Sequence, residues 1–211
     1  MDWPLPGAAG DGTARGMYVP DHFAAPDRAG LLELMRRHPF ATLITLDEEG
    51  APFASHIPFL VEDGPLRLRA HVARANPQWR HLEREALVIF HGPHAYVSPT
   101  WYEVVSPDMR VPTWNYAVVH ARGRARLLDE EGTAATVERL AAEHDPSWRA
   151  DLDAPRRRAM LRGIVGFAFD EPRLEGKLKL SQNRSPADRE RVRAALAETG
   201  HPDLAALMTR R

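Results

Sequence analysis

Two lysines stand one residue apart in the stretch "EGKLKLSQNR", residues 175–184, and every other one of the 28 basic residues in the chain is arginine. Lysine is a compact, strongly hydrated point charge on a flexible stem, whereas arginine is a planar fork. Lys177 and Lys179, with Ser181 and Gln182 behind them, offer amines, a hydroxyl and an amide suited to an anion or a polar ring. Chance placement on an exposed strand is the alternative. A second set lies in "AHVARANPQW", where His71 is on the polar face of a strand and Arg74 and Asn76 follow as the strand runs into a loop. A guanidinium fork, an amide and backbone N–H groups at a strand end make a phosphate cradle; the simpler reading is a turn with an exposed arginine. In "SHIPF", Ser55, His56 and Ile57 sit beside a proline, where a flat ligand could meet backbone donors, although an ordinary barrel-rim strand reads the same way. "VPTWNY" groups Thr113, Trp114 and Asn115 with Tyr116, giving aromatic surface beside an amide, or equally a core or interface aromatic pair.

Other chemistries find less footing. The chain has no cysteine, which removes disulfides, cysteine-based zinc sites, iron–sulfur clusters and thiol catalysis together. His91 and His94 flank a Gly-Pro pair, so they share no helical face, and no nearby acid completes a metal site. No GxSxG, HExxH, GxGxxG or GxxxxGK pattern occurs, and no residue stands out as a catalytic acid, base or nucleophile. Charge is balanced at 28 basic against 29 acidic residues, which is not the profile of a surface that wraps nucleic acid. No apolar run approaches ~20 residues, so no membrane span is expected. The N-terminal "MDWPLPGAAGDGTARG" lacks the basic start and apolar core of a signal peptide. A soluble cytoplasmic protein is expected, with residues 1–16 as a flexible leader and 17–211 as a single domain.

The elements that must position these residues are legible from periodicity. Asp27 can cap a helix through "RAGLLELMRRH", with Leu31, Leu34 and Met35 on one face and Pro39 ending it. "FATLITL", "APFASHIPFLV" and "LRLRAHV" read as three strands of an antiparallel meander, the second pushed to an edge or bulge by its prolines. "LVIFHG" and "HAYVS" read as two strand pieces, and "WYEVVSPDMRVP" as a proline-punctuated loop. The longest alternation, "TWNYAVVHARGRARLL", puts Ala117, Val119, Ala121, Gly123, Ala125 and Leu127 on one small face, as a narrow barrel needs, and His120, Arg122, Arg124 and Arg126 on the other. Two helices, "DEEGTAATVERLAAEHD" and "APRRRAMLRGI", precede the strands "VGFAFD" and "RLEGKLKL". Ser185, Pro186 and Asp188 then start a closing helix, with a short second one near "DLAALM". The sum is an α+β chain, mainly antiparallel β, with a small barrel decorated by peripheral helices.

Taken in order, "SHIPFLVEDG", "HVARANPQW", "VPTWNYAVVHARGRARLL" and "GKLKLSQNRSPADR" resemble the PaiB family of FMN-binding transcriptional regulators, over about residues 17–209. That family belongs to the FMN-binding split β-barrel group, alongside pyridoxamine-phosphate oxidase and flavin reductase-like proteins. The resemblance implies a six-stranded split barrel, a homodimer, and FMN in a groove between subunits. It places Arg74 and Asn76 at the FMN phosphate and Ser55, His56 and Ile57 along the ring. It brings Lys179, Ser181 and Gln182 to the flavin, from the same subunit or its partner. It implies DNA as a partner, yet the residues offer no base-reading element: the second C-terminal helix is short and carries Leu204, Leu207 and Met208 where polar groups would be needed. A flavin-dependent oxidoreductase is the alternative function, and a haem-binding or cofactor-free barrel a further one.

Overall fold

In the computed structural model the described residues are 16–25, 27–103, 111–147 and 154–209. Most of the expected leader and residues 104–110 of the proline-punctuated loop lie outside them. Alternating sequence dominates what is seen. Eight strands, β1 (Phe40–Leu46), β2 (Pro52–Pro58), β3 (Leu60–Glu62), β4 (Arg67–Ala73), β5 (Glu85–Val97), β6 (Thr113–Leu127), β7 (Ile164–Asp170) and β8 (Arg173–Lys179), form one antiparallel sheet in the order β2-β1-β5-β6-β7-β4-β3. β8 pairs with the first half of β6, from Tyr116↔Lys179 to Arg122↔Arg173, and β7 with its end. The long β6 thus belongs to both halves of a split barrel. Its inward residues Ala117, Val119, Ala121 and Ala125 are buried, while Leu127, at its end, is 37% exposed.

The expected meander is not formed. β1 pairs with β2 throughout, but β4 pairs with β3 and β7 and not with β2. The stretch read as one strand is broken at Phe59, whose side chain is fully buried, and the chain crosses there from one half-sheet to the other. Pro52 and Pro58 cannot donate to a ladder, and among the described residues β2 keeps one edge without a strand partner. The two pieces expected around His91 are one strand, β5, whose register slips between His91 and His94 at the Gly92-Pro93 bulge.

Phe59, Phe90, Phe167 and Phe169 stack edge to face inside the barrel with Leu43, Leu68 and Val88. Each such fully buried side chain stabilises the fold by about 1.5–3 kcal/mol. Helix α1 (Arg28–Arg37) closes one opening: Asp27 Oδ1 accepts from the Gly30 N–H at 2.7 Å, and Leu31, Leu34 and Met35 face the core. Gly176 of β8 is what lets it approach, because any β-carbon there would collide with Leu31. Helix α2 (Glu130–His144) lies on β4 and β7 and is followed by α3 (Ala154–Arg162). The closing helices α4 (Pro186–Glu198) and α5 (Pro202–Leu207) bury Val192, Leu196, Leu204 and Met208 in a satellite core with Ala95, Val97, Tyr102 and Leu180. Among the described residues no helix is long and apolar enough to cross a membrane.

Candidate functional site

The free edge of β2 and the end of β4 face each other across the gap in the barrel. Asn76 Nδ2 donates to Ser55 Oγ at 2.9 Å, while Asn76 Oδ1 accepts from the Gln78 N–H at 3.0 Å and so starts the 3-10 turn Pro77–His81. Gln78, fully buried, spans the same corner from inside by donating to the Leu43 and Phe53 carbonyls at 3.1 and 3.0 Å. Ser55 and Ile57 are half-buried and point to the barrel side of β2, whereas His56 is exposed on its outer side. The main chain of β2 remains open along its outer edge to an extended or planar partner.

Arg74 lies at the same end of the gap. Its Nε donates to the Arg162 carbonyl at 2.7 Å and its Nη2 to the Ile164 carbonyl at 3.0 Å, so it caps the C-terminus of α3. Those bonds use two of the five guanidinium N–H groups. The charge has no acidic partner among the described residues, and the side chain is exposed. A cation with spare donors, an amide beside it and an unpaired strand edge together fit a phosphate joined to a planar polar ring.

The outer face of β2, β1, β5, β6 and β8 carries a second group of predicted residues. In register across it run His56, Thr42, Ile89, His120 and Glu175. Thr42 Oγ1 is 3.1 Å from both His56 Nδ1 and His91 Nε2; a hydroxyl has one proton, so at least one imidazole donates to it. Burial, then the neighbouring His94 and His56, holds His91 below the ordinary imidazole pKa. Burial, then Arg122, does the same for His120, with Glu175 opposing. Thr42 and His91 gave no sequence signal as a pair, because only the strand register places residues 49 positions apart in contact.

Lys177 and Lys179 share this face. Lys177 Nζ donates to the Tyr18 carbonyl at 2.9 Å and sits 5.3 and 5.7 Å from the ring centres of Tyr18 and Tyr116. Lys179 donates to Thr113 Oγ1. Burial, then the Lys177 and Arg184 charges, lowers its pKa below the usual lysine value. Trp114, half-exposed, packs its edge on Tyr96 and lies beside His94.

Four predicted residues lie away from these surfaces. Asn115 and Ser181 are inside the fold: the Asn115 amide and the Ser181 hydroxyl hydrogen-bond each other at 3.0 and 3.2 Å, tying β6 to the second residue after β8. Their polar atoms are occupied there, and Ser181 takes a left-handed backbone (φ 61°) to arrive. Gln182 folds back to accept from the Leu180 N–H at 2.6 Å and to donate to the Leu178 carbonyl. His71 faces α2, since its cross-strand partner Gly166 lies directly under Thr133 of that helix, and its buried Nδ1 finds no partner among the described residues. The alternation of a strand put His71 on the polar face correctly, but a helix covers that face. Among the described residues no set of three metal-ligating side chains converges.

Residues 17–170 match the family model described as "Putative FMN-binding domain". The protease synthase and sporulation protein PAI 2 of Bacillus subtilis is 34% identical over 196 residues, covering 89% of this chain and 92% of that protein. An uncharacterized protein of Emericella nidulans is 30% identical over 231 residues, covering 87% and 92%. Among solved structures, the FAD and heme binding protein of Mycobacterium smegmatis superposes with a TM-score of 0.60 at 18% identity, covering 79% of this chain and 78% of that one. The flavocytochrome Anf3 of Azotobacter vinelandii does so with a TM-score of 0.59 at 17% identity, covering 74% and 69%. At these identities the two structures speak to the fold, which is the antiparallel split barrel expected from the sequence.

Proposed function

The chain belongs to this family of FMN-binding domains as a PaiB-like member, and from that premise we propose that it is a homodimeric FMN-binding regulator whose flavin lies along the free edge of β2. The observation that carries the placement is the exposed Arg74 guanidinium, without an acidic partner among the described residues, beside a strand edge with no pairing strand. Arg74 and Asn76 would hold the phosphate, and the β2 main chain with Ser55, His56 and Ile57 would lie against the ring. Lys179, bonded to Thr113, and Trp114 present their groups on the outer face, where a second subunit would bring them to the flavin of the first. Asn115, Ser181 and Gln182 support Lys179 from within rather than touching cofactor, and His71 serves the packing of α2. FMN, when bound, supplies hydride and single-electron chemistry that no side chain here offers. The chain's own part is to bind it, orient it and limit its contact with water.

Homodimer formation is supported by that outer face. Phe40, Leu46, Tyr96 and Trp114 stand 63%, 49%, 46% and 52% exposed on it, more apolar surface than a sheet face in water ordinarily carries. DNA contact, if regulation uses it, runs through phosphates and is weak. Of the expected arginine stripe, Arg122 pairs with Glu175 at 3.5 Å and Arg126 with Asp170 at 2.7 Å, leaving little net charge. The α5 residues Leu204 and Ala205 are buried rather than presented to a groove. The visible spectrum of the purified protein tests the cofactor: flavin bands are expected, and a Soret band or no absorbance overturns the reading. DNA binding measured against NAD(P)H oxidation by the flavin-loaded protein separates a regulator from an oxidoreductase.

A further inference from the structure

On the other side of β8 from the two lysines lies a cleft of about 640 Å³. Strand alternation turns Leu178 and Leu180 toward it while Lys177 and Lys179 face away, so it is separate from the proposed flavin site. Leu31 and Leu34 of α1 form one wall, Leu178 and Leu180 a second, and Leu207 and Met208 at the end of α5 a third. The volume lies within the ~300–1,000 Å³ usual for small-molecule sites.

One charged group of the lining is left with an unmet donor. Arg189, on the second turn of α4, gives Nη2 to the Met208 carbonyl at 3.3 Å, but its Nε is buried without a hydrogen-bond partner among the described residues. No carboxylate pairs with it among the described residues: its neighbour Asp188 accepts from the Glu103 N–H and faces Arg191. A buried guanidinium N–H without an acceptor is costly, and an anionic oxygen is the partner that satisfies it best. Of the other polar groups of the lining, Gln182 already spends its oxygen on the Leu180 N–H, and the exposed His22 packs its ring on Phe23. At the opening stand the carboxylates of Asp27, which caps α1, and of Glu33, which pairs with Arg37 at 3.9 Å, and they oppose ligands bearing more than one anionic group.

We infer that this cleft is a binding site for a small monoanionic amphiphile, an aliphatic or aromatic carboxylic acid whose carboxylate meets Arg189 and whose apolar body lies among the leucines. The carboxylate replaces the missing acceptor at Nε, and the tail covers the surface that the partly buried Leu178 and Leu207 leave to water. No bond is made or broken.

Calorimetric titration with decanoate, below its micelle concentration, tests the site on the full chain, with decan-1-ol as the probe of equal tail and no charge. Wild type is expected to bind one decanoate per chain, at least tenfold more tightly than decanol. Arg189→Met, which keeps the stem and removes the charge, is expected to lose at least tenfold in decanoate affinity and to bind decanol as wild type does. Ala29→Trp, at an exposed position on the α1 wall, is expected to fill the cleft and abolish both. FMN titrations of both variants are expected to match wild type, which keeps this result independent of the flavin site. Absence of saturable decanoate binding to wild type, equal affinity for acid and alcohol, or full binding by folded Arg189→Met or Ala29→Trp each overturns the inference. Should Arg189→Met fail to fold, the wild-type comparison of acid with alcohol and the Ala29→Trp variant decide it.

Discussion

Asn76 and Ser55 are joined at 2.9 Å across a gap that no backbone hydrogen bond bridges. β4 and β2 are neighbours in space without being neighbours in the sheet, and this side-chain link, with Gln78 behind it, holds the two sides together at the place where the flavin is proposed to lie. Asn76→Ala removes both the link and the cap on the Gln78 N–H, and is expected to destabilise the protein by ~2 kcal/mol. Ser55→Ala removes only one acceptor and is expected to cost about half of that. Urea melts of the two variants and the double variant measure the coupling; strictly additive effects would show that the bond contributes nothing.

Arg74 has a structural duty at the end of α3 and a proposed one at the phosphate, and the two can be told apart. Arg74→Ala is expected to lower stability by ~1 kcal/mol through the lost cap and to weaken FMN binding by ~1.5–3 kcal/mol, roughly ten- to a hundredfold. Arg74→Lys is expected to recover only part of the affinity, because a point charge cannot reproduce a fork. Reduced stability with unchanged FMN titration would leave Arg74 a helix cap alone.

Lys179 is expected to answer differently. Its amine is partly buried beside Thr113, with the charges of Lys177 and Arg184 nearby. Lys179→Ala is expected to weaken FMN binding or shift the flavin spectrum, and Lys179→Arg to be tolerated poorly for want of room. Titration of stripped protein with FMN reads both. Wild-type affinity in both variants would make the lysine a surface residue.

The outer sheet face is expected to be covered by a second copy. Light scattering should give about twice the 23.7 kDa chain mass, and Trp114→Glu should shift the species toward monomer with loss of FMN affinity. A wild-type monomer at micromolar concentration removes the shared groove.

His71 predicts a pH dependence. Burial lowers its pKa from 6.5, so the folded protein takes up the proton less readily than the unfolded chain. Its contribution to stability is complete above the unfolded value and is lost as pH falls through it toward the lower folded value. The urea midpoint is expected to drop as pH falls below 6.5, and His71→Gln is expected to shallow that drop without abolishing it, since His91 and His120 are shifted the same way. An unaltered slope would place the ring in contact with water.

The sequence by itself determined the elements and the faces. Alternation in β4 and β6 and the Asp27 and Ser185 caps are local patterns, and all are where the residues put them. It also held the quoted motifs that mark the family. Tertiary structure decided which strands meet and which polar faces stay open. Nothing local distinguishes a meander from a chain that crosses half-sheets at Phe59, because both satisfy the same alternation; the difference lies in a buried ring and in two prolines that leave an edge unpaired. The same limit applied to the candidate site. Asn115, Ser181 and His71 carry the residue types of a binding surface, yet the first two meet each other in the interior and the third lies beneath α2. Whether a polar side chain faces ligand, helix or core depends on what packs over its face, and that is set by contacts between residues far apart in the chain, which a periodic pattern cannot record.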